Sequence, residues 1–185
     1  ARITYAADGD YTFAVSCKDL AGNENTPVDT GNSLSPYEFT IDKTVPTVSV
    51  SFDNNQSLNG NYYDAQRTMT ITVHEHNFET SRVKVTLNAT DEGSPATIPS
   101  VNRWTSSGDT HTAIITFAND ALYTFDFAYT DKAGNQAADV SEERFYVDKT
   151  KPLLEIYGIN DESANNGDGN IGFVMEATDT NFDIF

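Results

Sequence analysis

Residues 122–152 read LYTFDFAYTDKAGNQAADVSEERFYVDKTKP, and this stretch decides the fold. Every second residue of its first run is aromatic: Tyr123, Phe125, Phe127 and Tyr129. Because successive side chains of a β-strand point to opposite faces, the run predicts a strand with one apolar face and one wet face. Two sheets of such strands bury their apolar faces against each other, so we expect two facing antiparallel sheets.

The same alternation occurs in the residues around this run. Met69, Ile71 and Val73, for example, alternate with threonines. Turn-forming Asn, Asp and Gly residues separate the runs, and no stretch has the spacing of a helix. The further predicted strands are residues 48–52, 68–73, 83–87 and 112–117, with Phe145 and Val147 in a last one. We therefore predict an all-β sandwich of about seven antiparallel strands.

The chain also repeats itself. The matching pieces are YTF at 11–13 and 123–125, DLAGN at 19–23 with DKAGN at 131–135, DKTVP at 42–46 with DKTKP at 148–152, and, more weakly, HNFE at 76–79 with TNFD at 180–183. The spacing gives a unit of about one hundred residues, which is a common domain size. A unit of this length indicates whole domains in tandem rather than a solenoid.

The phase of the repeat predicts the domain boundaries. Residues 47–150 form one complete unit, residues 1–46 the C-terminal part of a preceding unit, and residues 151–185 the N-terminal part of a following unit. The chain thus reads as an excerpt of a longer array. Strands at its two ends lack their sheet neighbours, and we expect them to seek partners, head to tail between molecules.

The motif Y-T-F-x-x-x-x-x-D-x-A-G-N, followed by a strand ending in D-K-T-x-P, resembles the bacterial Ig-like domains of large surface proteins of Gram-positive gut bacteria. This resemblance implies tandem immunoglobulin-like sandwiches, an extracellular position at the cell wall or cell surface, and neighbouring units of the same protein as partners. It implies a stalk or adhesion module without enzymatic activity. Tyr123, and Tyr11 in the first copy, resemble a tyrosine corner, in which the hydroxyl bonds back to nearby backbone.

Composition excludes several classes of function. Lys and Arg number 11 against 28 Asp and Glu, which gives a net charge of −17. A chain this acidic repels phosphate backbones and anionic lipid, so we expect neither nucleic-acid binding nor membrane insertion. One cysteine forms no internal disulfide, and no cluster of Cys and His predicts zinc. We find no pattern of catalytic residues and therefore assign none.

Two other functions stay open. The chain fits a ligand-binding module for a host glycoprotein, such as an antibody or a mucin glycan, and it also fits an accessory domain of a wall-bound enzyme. Ig-like repeats bind through loops or through strand pairing at a sheet edge. Exposed aromatic residues would mark a ligand surface, and the possible ligand contacts are Tyr62, Tyr63, Phe78 and Trp104.

Calcium is the one ion that the acidic residues suggest. The joints at 42–46 and 148–152 end in Pro and should be stiff, and calcium bound there would stiffen them further. The nearby ligands would be Asp53 and Asn54 at the first joint, and Asn160, Asp161 and Glu162 at the second. The turn at 131–135 could be an oxygen cluster for calcium, but its recurrence favours simple turn chemistry. Residues 165–170 read NNGDGN, a composition that predicts a Gly- and Asn-rich loop rather than an EF-hand. We assign no metal ligands and no cofactor.

The histidines and the cysteine have ordinary interpretations. His74 and His76 should face outward at a strand end, with His111 near them, and we interpret all three as solvated. A shared zinc site is not expected, because Thr178 and Thr180 occupy the corresponding positions in the last fragment. Cys17 corresponds to Tyr129 on the apolar face, which predicts a buried, inert thiol.

Overall fold

A computed structural model describes residues 2–13, 17–24, 37–158 and 172–182. The loop predicted at 165–170 lies outside these residues, as do Asn160, Asp161 and Glu162, which were expected beside the second joint. The strands are β1 (Gly9–Phe13), β2 (Tyr37–Ile41), β3 (Thr47–Phe52), β4 (Tyr62–Tyr63), β5 (Arg67–His74), β6 (Val83–Asp91), β7 (Ser94–Pro95), β8 (Thr105–Ser107), β9 (Thr110–Phe117), β10 (Ala121–Tyr129), β11 (Glu143–Val147), β12 (Leu153–Tyr157) and β13 (Val174–Thr178). One turn of 3₁₀-helix, Thr80–Arg82, precedes β6. The prediction of an all-β chain is confirmed.

Strands β3 to β11 form two sheets. Their orders are β3-β5-β9-β8 and β4-β11-β10-β6-β7, and every pairing is antiparallel except the parallel pair of β11 with β4. The domain therefore has nine strands where about seven were expected. Two of the nine, β4 and β7, have only two residues each, which is too short for alternation to reveal.

The core lies between the two sheets, as the alternation predicts. β5 buries every second residue, and β10 does the same across its nine residues. The fully buried large side chains come from four strands: Met69, Ile71 and Val73 of β5, Ile115 and Phe117 of β9, Tyr123, Phe125, Phe127 and Tyr129 of β10, and Phe145 and Val147 of β11. The two sheets thus pack in a sandwich-like arrangement around one apolar layer.

We call strands β3 to β11 the complete domain. The strands near the two ends of the chain form separate hairpins, and each hairpin pairs in the same way as two strands of the complete domain. β1–β2 pairs as β10–β11 does, with Tyr11 opposite Phe39 and Tyr123 opposite Phe145. β12–β13 pairs as β3–β5 does, with Leu154 opposite Ala177, Ile156 opposite Met175, Val48 opposite Val73 and Val50 opposite Ile71.

Matching side-chain bonds hold the matching strands. The expected tyrosine bond is present, since the Tyr123 hydroxyl donates to the Asn119 carbonyl at 2.9 Å and the Tyr11 hydroxyl to the Ala7 carbonyl at 2.8 Å. The lysine after each last strand also donates to a carbonyl, Lys43 to Ala6 and Lys149 to Ala118. The following threonine donates its hydroxyl to an aspartate, Thr44 to Asp8 at 2.9 Å and Thr150 to Asp120 at 2.7 Å.

Candidate functional site

A cleft of about 410 Å³ lies at the first joint, where the hairpin β1–β2 meets the complete domain. Carboxylates dominate its lining: Asp8, Asp10, Asp42, Glu75 and Asp109. Asp42 follows β2, and Glu75 follows β5, whose last residue, His74, pairs with Thr47. Acidic residues thus lie where the end of one sheet meets the hairpin β1–β2.

Three carboxylates converge behind this cleft. One oxygen each of Asp42, Glu75 and Asp131 lies within 4.8 Å of the others. Glu75 is 4% exposed and Asp131 is fully buried, while Asp42 is half-buried. We call these three residues the acidic cluster.

The turn after β10 places Asp131 in the acidic cluster. The Asp131 carboxylate accepts the backbone N–H of Asn135 at 2.8 Å and its side-chain amide at 2.8 Å. The same amide nitrogen lies 3.1 Å from the carbonyl oxygen of Asp42, to which it also donates. Asp19 and Asn23 make the corresponding bonds in the first copy. The predicted turn chemistry is confirmed, and in the complete domain the turn also ties the domain to the joint.

Backbone contacts position Glu75 beside Asp131 in the acidic cluster. The Glu75 N–H donates to the Asp109 carbonyl at 2.9 Å, and one carboxylate oxygen accepts the Asn77 N–H at 2.8 Å. Its carbonyl lies 2.7 Å from Nε2 of His111. A carbonyl only accepts, so Nε2 carries the proton, and Nδ1 is left to accept from the Ser106 hydroxyl at 2.7 Å in the neutral ring.

Burial acts on the ionisation of one member of the acidic cluster, Glu75. It raises the pKa of the Glu75 carboxyl, and the charges of Asp42 and Asp131 raise that pKa further. Three carboxylates this close are stable when they share a proton or surround a cation. Oxygens within 4.8 Å of one another fit the metal–oxygen distances of about 2.3–2.6 Å for Ca²⁺, but that ion takes six to eight oxygens. Both Asp131 oxygens already accept bonds from Asn135.

His76 bridges the two sides of the cleft. Its Nδ1 lies 2.9 Å from Asp109 of the complete domain, and its Nε2 lies 3.5 Å from Asp10 of the hairpin β1–β2. The hydrogen bond to Asp109, and then the one to Asp10, raises the pKa of His76. The side chain is 65% exposed, so this bridge is screened by solvent.

The second joint has part of the same arrangement. Asp148 corresponds to Asp42, and its carboxylate accepts from the Asn181 amide at 2.8 Å. Asp179 corresponds to Glu75 and accepts the Asn181 N–H at 2.8 Å, the bond that Glu75 makes with Asn77. All three positions of the acidic cluster are acidic wherever the repeat shows them: Asp42 and Asp148, Glu75 and Asp179, Asp131 and Asp19. This recurrence was the signal in the sequence that could have revealed the cluster. The sequence interpretation considered the histidines on either side of Glu75 and not Glu75 itself.

The four aromatic residues proposed as ligand contacts are half-buried, and each packs against the domain. Tyr62 stacks on Tyr146, with ring centroids 4.2 Å apart. Phe78 and Trp104 lie 5.0 Å apart and cover the end of the core. Tyr62 and Tyr63 therefore lie in one place and Phe78 and Trp104 in another, and the four residues do not form one ligand surface.

Tyr63 belongs to a structural site that the sequence did not reveal. Arg67 is 4% exposed, and its guanidinium lies 3.8 Å from the ring centre of Phe52, 3.9 Å from that of Tyr63 and 4.4 Å from that of Phe145. Its Nε donates to the Asn54 carbonyl at 2.8 Å. The charge is satisfied by these contacts, so Arg67 closes the core at this end.

Three expectations are wrong. His111 is buried rather than solvated, because its register opposite Val73 points it inward, where it stacks on Phe78 at 4.2 Å. Cys17 is exposed, whereas its counterpart Tyr129 is buried between two sheets; among the described residues no second sheet packs on the hairpin β1–β2. Asp53 and Asn54 do not flank the first joint: Asp53 accepts the Thr68 N–H at 2.6 Å, at the far end of β3.

No helix among the described residues is long and apolar enough to cross a membrane. No protein-family model matches the chain, and neither the curated proteins nor the solved structures contain a significant match to it.

Proposed function

We propose that the chain is a non-catalytic segment of a tandem array of Ig-like sandwich domains, which serves as an extracellular stalk or adhesion module on a Gram-positive bacterial surface. Its closest partners are then the neighbouring domains of the same protein. The resemblance carried by the Y-T-F, D-x-A-G-N and D-K-T-x-P motifs supports the family and the location. The mechanical part of the proposal rests on the geometry of the complete domain.

The two joints leave this domain at opposite poles. Ala121, at the start of β10, pairs with Val147 just before the second joint. Asp131, just after the end of β10, lies in the acidic cluster with Asp42 of the first joint. β10 has nine residues and separates the poles by about 27 Å, so tension along an array passes through the length of the sandwich.

The parallel pair of β4 and β11 carries the proposal, because it is loaded in shear. Its two backbone bonds run from the Tyr146 N–H to the Asn61 carbonyl and from the Asp148 N–H to the Tyr63 carbonyl, both 2.9 Å long. Tension at the first joint acts first on β3 and, once β3 has separated from β5, draws β4 back toward that joint, while β11 is drawn toward the second joint. These bonds, and that from the Asn61 amide to the Arg144 carbonyl at 3.1 Å, must then break together rather than one after another.

Pulling the whole chain by its ends in a force microscope tests this. We expect one dominant unfolding event, which releases the residues from Thr47 to Val147, a contour length of roughly 35 nm. Asn61→Ala should lower the unfolding force, since it removes a bond from the sheared pair. Asn88→Ala is the matched control: its amide bonds to Thr124 at 3.3 Å between β6 and β10, away from the loaded pair. Equal forces for both variants and the wild type would contradict the proposal.

Charge and surface chemistry agree with a spacer. At −17 the chain repels its copies, which keeps an array hydrated and extended. The outer faces of β5 and β9 are mostly threonine, and Ile114 of β9 is an exposed apolar residue among them: Thr68, Thr70, Thr72, Thr112 and Thr116. Binding of the chain to a panel of host glycoproteins and glycans, with and without Ca²⁺, separates this function from the ligand-binding alternative. Specific binding that is lost on Trp104→Ala would favour that alternative.

A further inference from the structure

The turn before β4 contains an asparagine followed by a glycine. Asn59 and Gly60 are both exposed, and Gly60 has a positive φ of 57°. Main-chain bonds close this turn on Tyr62: the Leu58 N–H donates to the Tyr62 carbonyl, and the Tyr62 N–H donates to the Asn59 carbonyl, both at 3.0 Å. The turn is therefore held through its main chain, while the two residues at its tip are open to solvent.

Two groups at this tip are free to react with each other. Neither the side-chain amide of Asn59 nor the backbone N–H of Gly60 makes a hydrogen bond with any residue that the structure describes. Apart from chain neighbours, no heavy atom lies within 4 Å of the place where a Cβ of Gly60 would be. Because glycine has no side chain, its nitrogen can approach Cγ of Asn59 without steric hindrance.

Two nearby asparagines lack this freedom. The Asn61 amide donates to the Arg144 carbonyl at 3.1 Å, and a tyrosine follows Asn61. The Asn55 amide donates to the Phe52 carbonyl at 3.1 Å, and a glutamine follows Asn55. In both cases the Cβ of the following residue hinders the approach of its nitrogen. A second Asn-Gly pair, at 166–167, lies outside the described residues.

We propose that Asn59 is a site of spontaneous deamidation and that the isoaspartate formed there loosens the pair β4–β11. The Gly60 nitrogen loses its proton to hydroxide and bonds to Cγ of Asn59, and the side-chain nitrogen leaves as ammonia. The product is a five-membered succinimide, which water opens at either of its two carbonyl carbons. Since the reacting groups belong to adjacent residues, the step is intramolecular and needs no enzyme. The proposal goes beyond the stalk function and does not require it.

The direction of ring opening decides the effect on the sheet. Opening at Cγ gives aspartate and leaves the course of the main chain unchanged. Opening at the main-chain carbon gives isoaspartate, which lengthens the main chain by one methylene and turns the carbonyl that accepts the Tyr62 N–H into a free carboxylate. The residues directly after this turn supply the acceptors of the parallel pair, which are the Asn61 and Tyr63 carbonyls. Their displacement weakens the bonds to β11.

Peptide mapping of the whole chain by mass spectrometry tests the chemistry, after incubation at neutral and at mildly alkaline pH. Asn59 should be converted ahead of every other described asparagine, and faster at the higher pH, because the attacking nitrogen must lose its proton. Asn59→Gln should remove the modification, since its longer side chain disfavours the five-membered ring. Asn55→Gln is the matched control and should leave conversion of Asn59 unchanged. An unmodified Asn59, or conversion of Asn55 at the same rate, would overturn the proposal.

Hydrogen exchange tests the effect on the sheet. In the fraction with isoaspartate, the Tyr146 and Asp148 amides should exchange about five- to tenfold faster than in fresh protein, which corresponds to the loss of about one hydrogen bond. Amides of the pair β6–β10 should keep their rates. Asn59→Gln incubated in the same way controls for other ageing and should match fresh protein. Unchanged exchange at Tyr146 and Asp148 in the isoaspartate fraction would contradict the proposed loosening.

Discussion

The complete domain and the two end hairpins share a sequence pattern and a strand register but differ in burial. Ile71 is fully buried, whereas Met175, its counterpart in β13, is 61% exposed. The shared alternation thus accompanies the same strand pairing in the domain and in both hairpins. Burial requires the opposite sheet, and an isolated two-stranded hairpin has little stability of its own.

Truncation of corresponding phenylalanines should give the largest difference in stability between the complete domain and a hairpin. Phe125→Ala should cost about 3–5 kcal/mol of the free energy of unfolding, because it opens a cavity in a fully buried position. Phe13→Ala, at the corresponding position of β1, should change the domain by less than about 0.5 kcal/mol. Trp104 is the single tryptophan and lies in the complete domain, so its fluorescence in urea follows that domain alone. Equal losses would mean that hairpin and domain unfold as one unit.

The paired tyrosines test the same difference with a smaller change. Tyr123→Phe should cost about 1 kcal/mol, since it removes the bond to the Asn119 carbonyl. Tyr11→Phe removes the same bond in β1 and should leave the unfolding of the domain unchanged. The same urea titration measures both, and a loss in Tyr11→Phe as large as that in Tyr123→Phe would be the contrary result.

Glu75→Gln sharpens the comparison at the first joint, where the hairpin meets the domain. Folding raises the pKa of Glu75 above its ordinary value of 4.5, so its stabilising effect is complete below pH 4.5 and is lost as the pH rises through the folded-state pKa. The amide stays neutral, as does the protonated acid, and should therefore raise the melting temperature by a few degrees at pH 8 but not at pH 4. Glu142→Gln, at an exposed position, is the control.

The same variant distinguishes a shared proton from calcium. If millimolar Ca²⁺ raises the melting temperature of the wild type and Glu75→Gln loses that increase, the acidic cluster is a calcium site. In that case the variant would also be less stable than the wild type at pH 8 in Ca²⁺, contrary to the expectation above.

The smallest expected effect concerns the bridge through His76. Its imidazolium contacts Asp109 at 2.9 Å and Asp10 at 3.5 Å, so the bridge is complete below the ordinary pKa of 6.5 and is lost as the pH rises through the elevated value. In an NMR titration, Asp109→Asn should lower the pKa of His76 more than Asp10→Asn does. Asp64→Asn, which is exposed and away from the cleft, should leave it unchanged. No change with Asp10→Asn would mean that the bridge does not reach the hairpin.

The sequence by itself determined the longer strands and their apolar faces, because these depend on a two-residue period. It also predicted the tyrosine bond and the turn that orients Asp131. Only the tertiary structure brought Asp42, Glu75 and Asp131 together and enclosed Arg67 in three aromatic rings. These contacts join residues from separate strands and loops, and their distances depend on how the two sheets and the joint pack. The same reason explains the error at Cys17: alternation assigns a side chain to a face, but what covers that face is decided by the rest of the fold. The error at His111 is different, because alternation with Ala113, Ile115 and Phe117 already places His111 on the apolar face of β9.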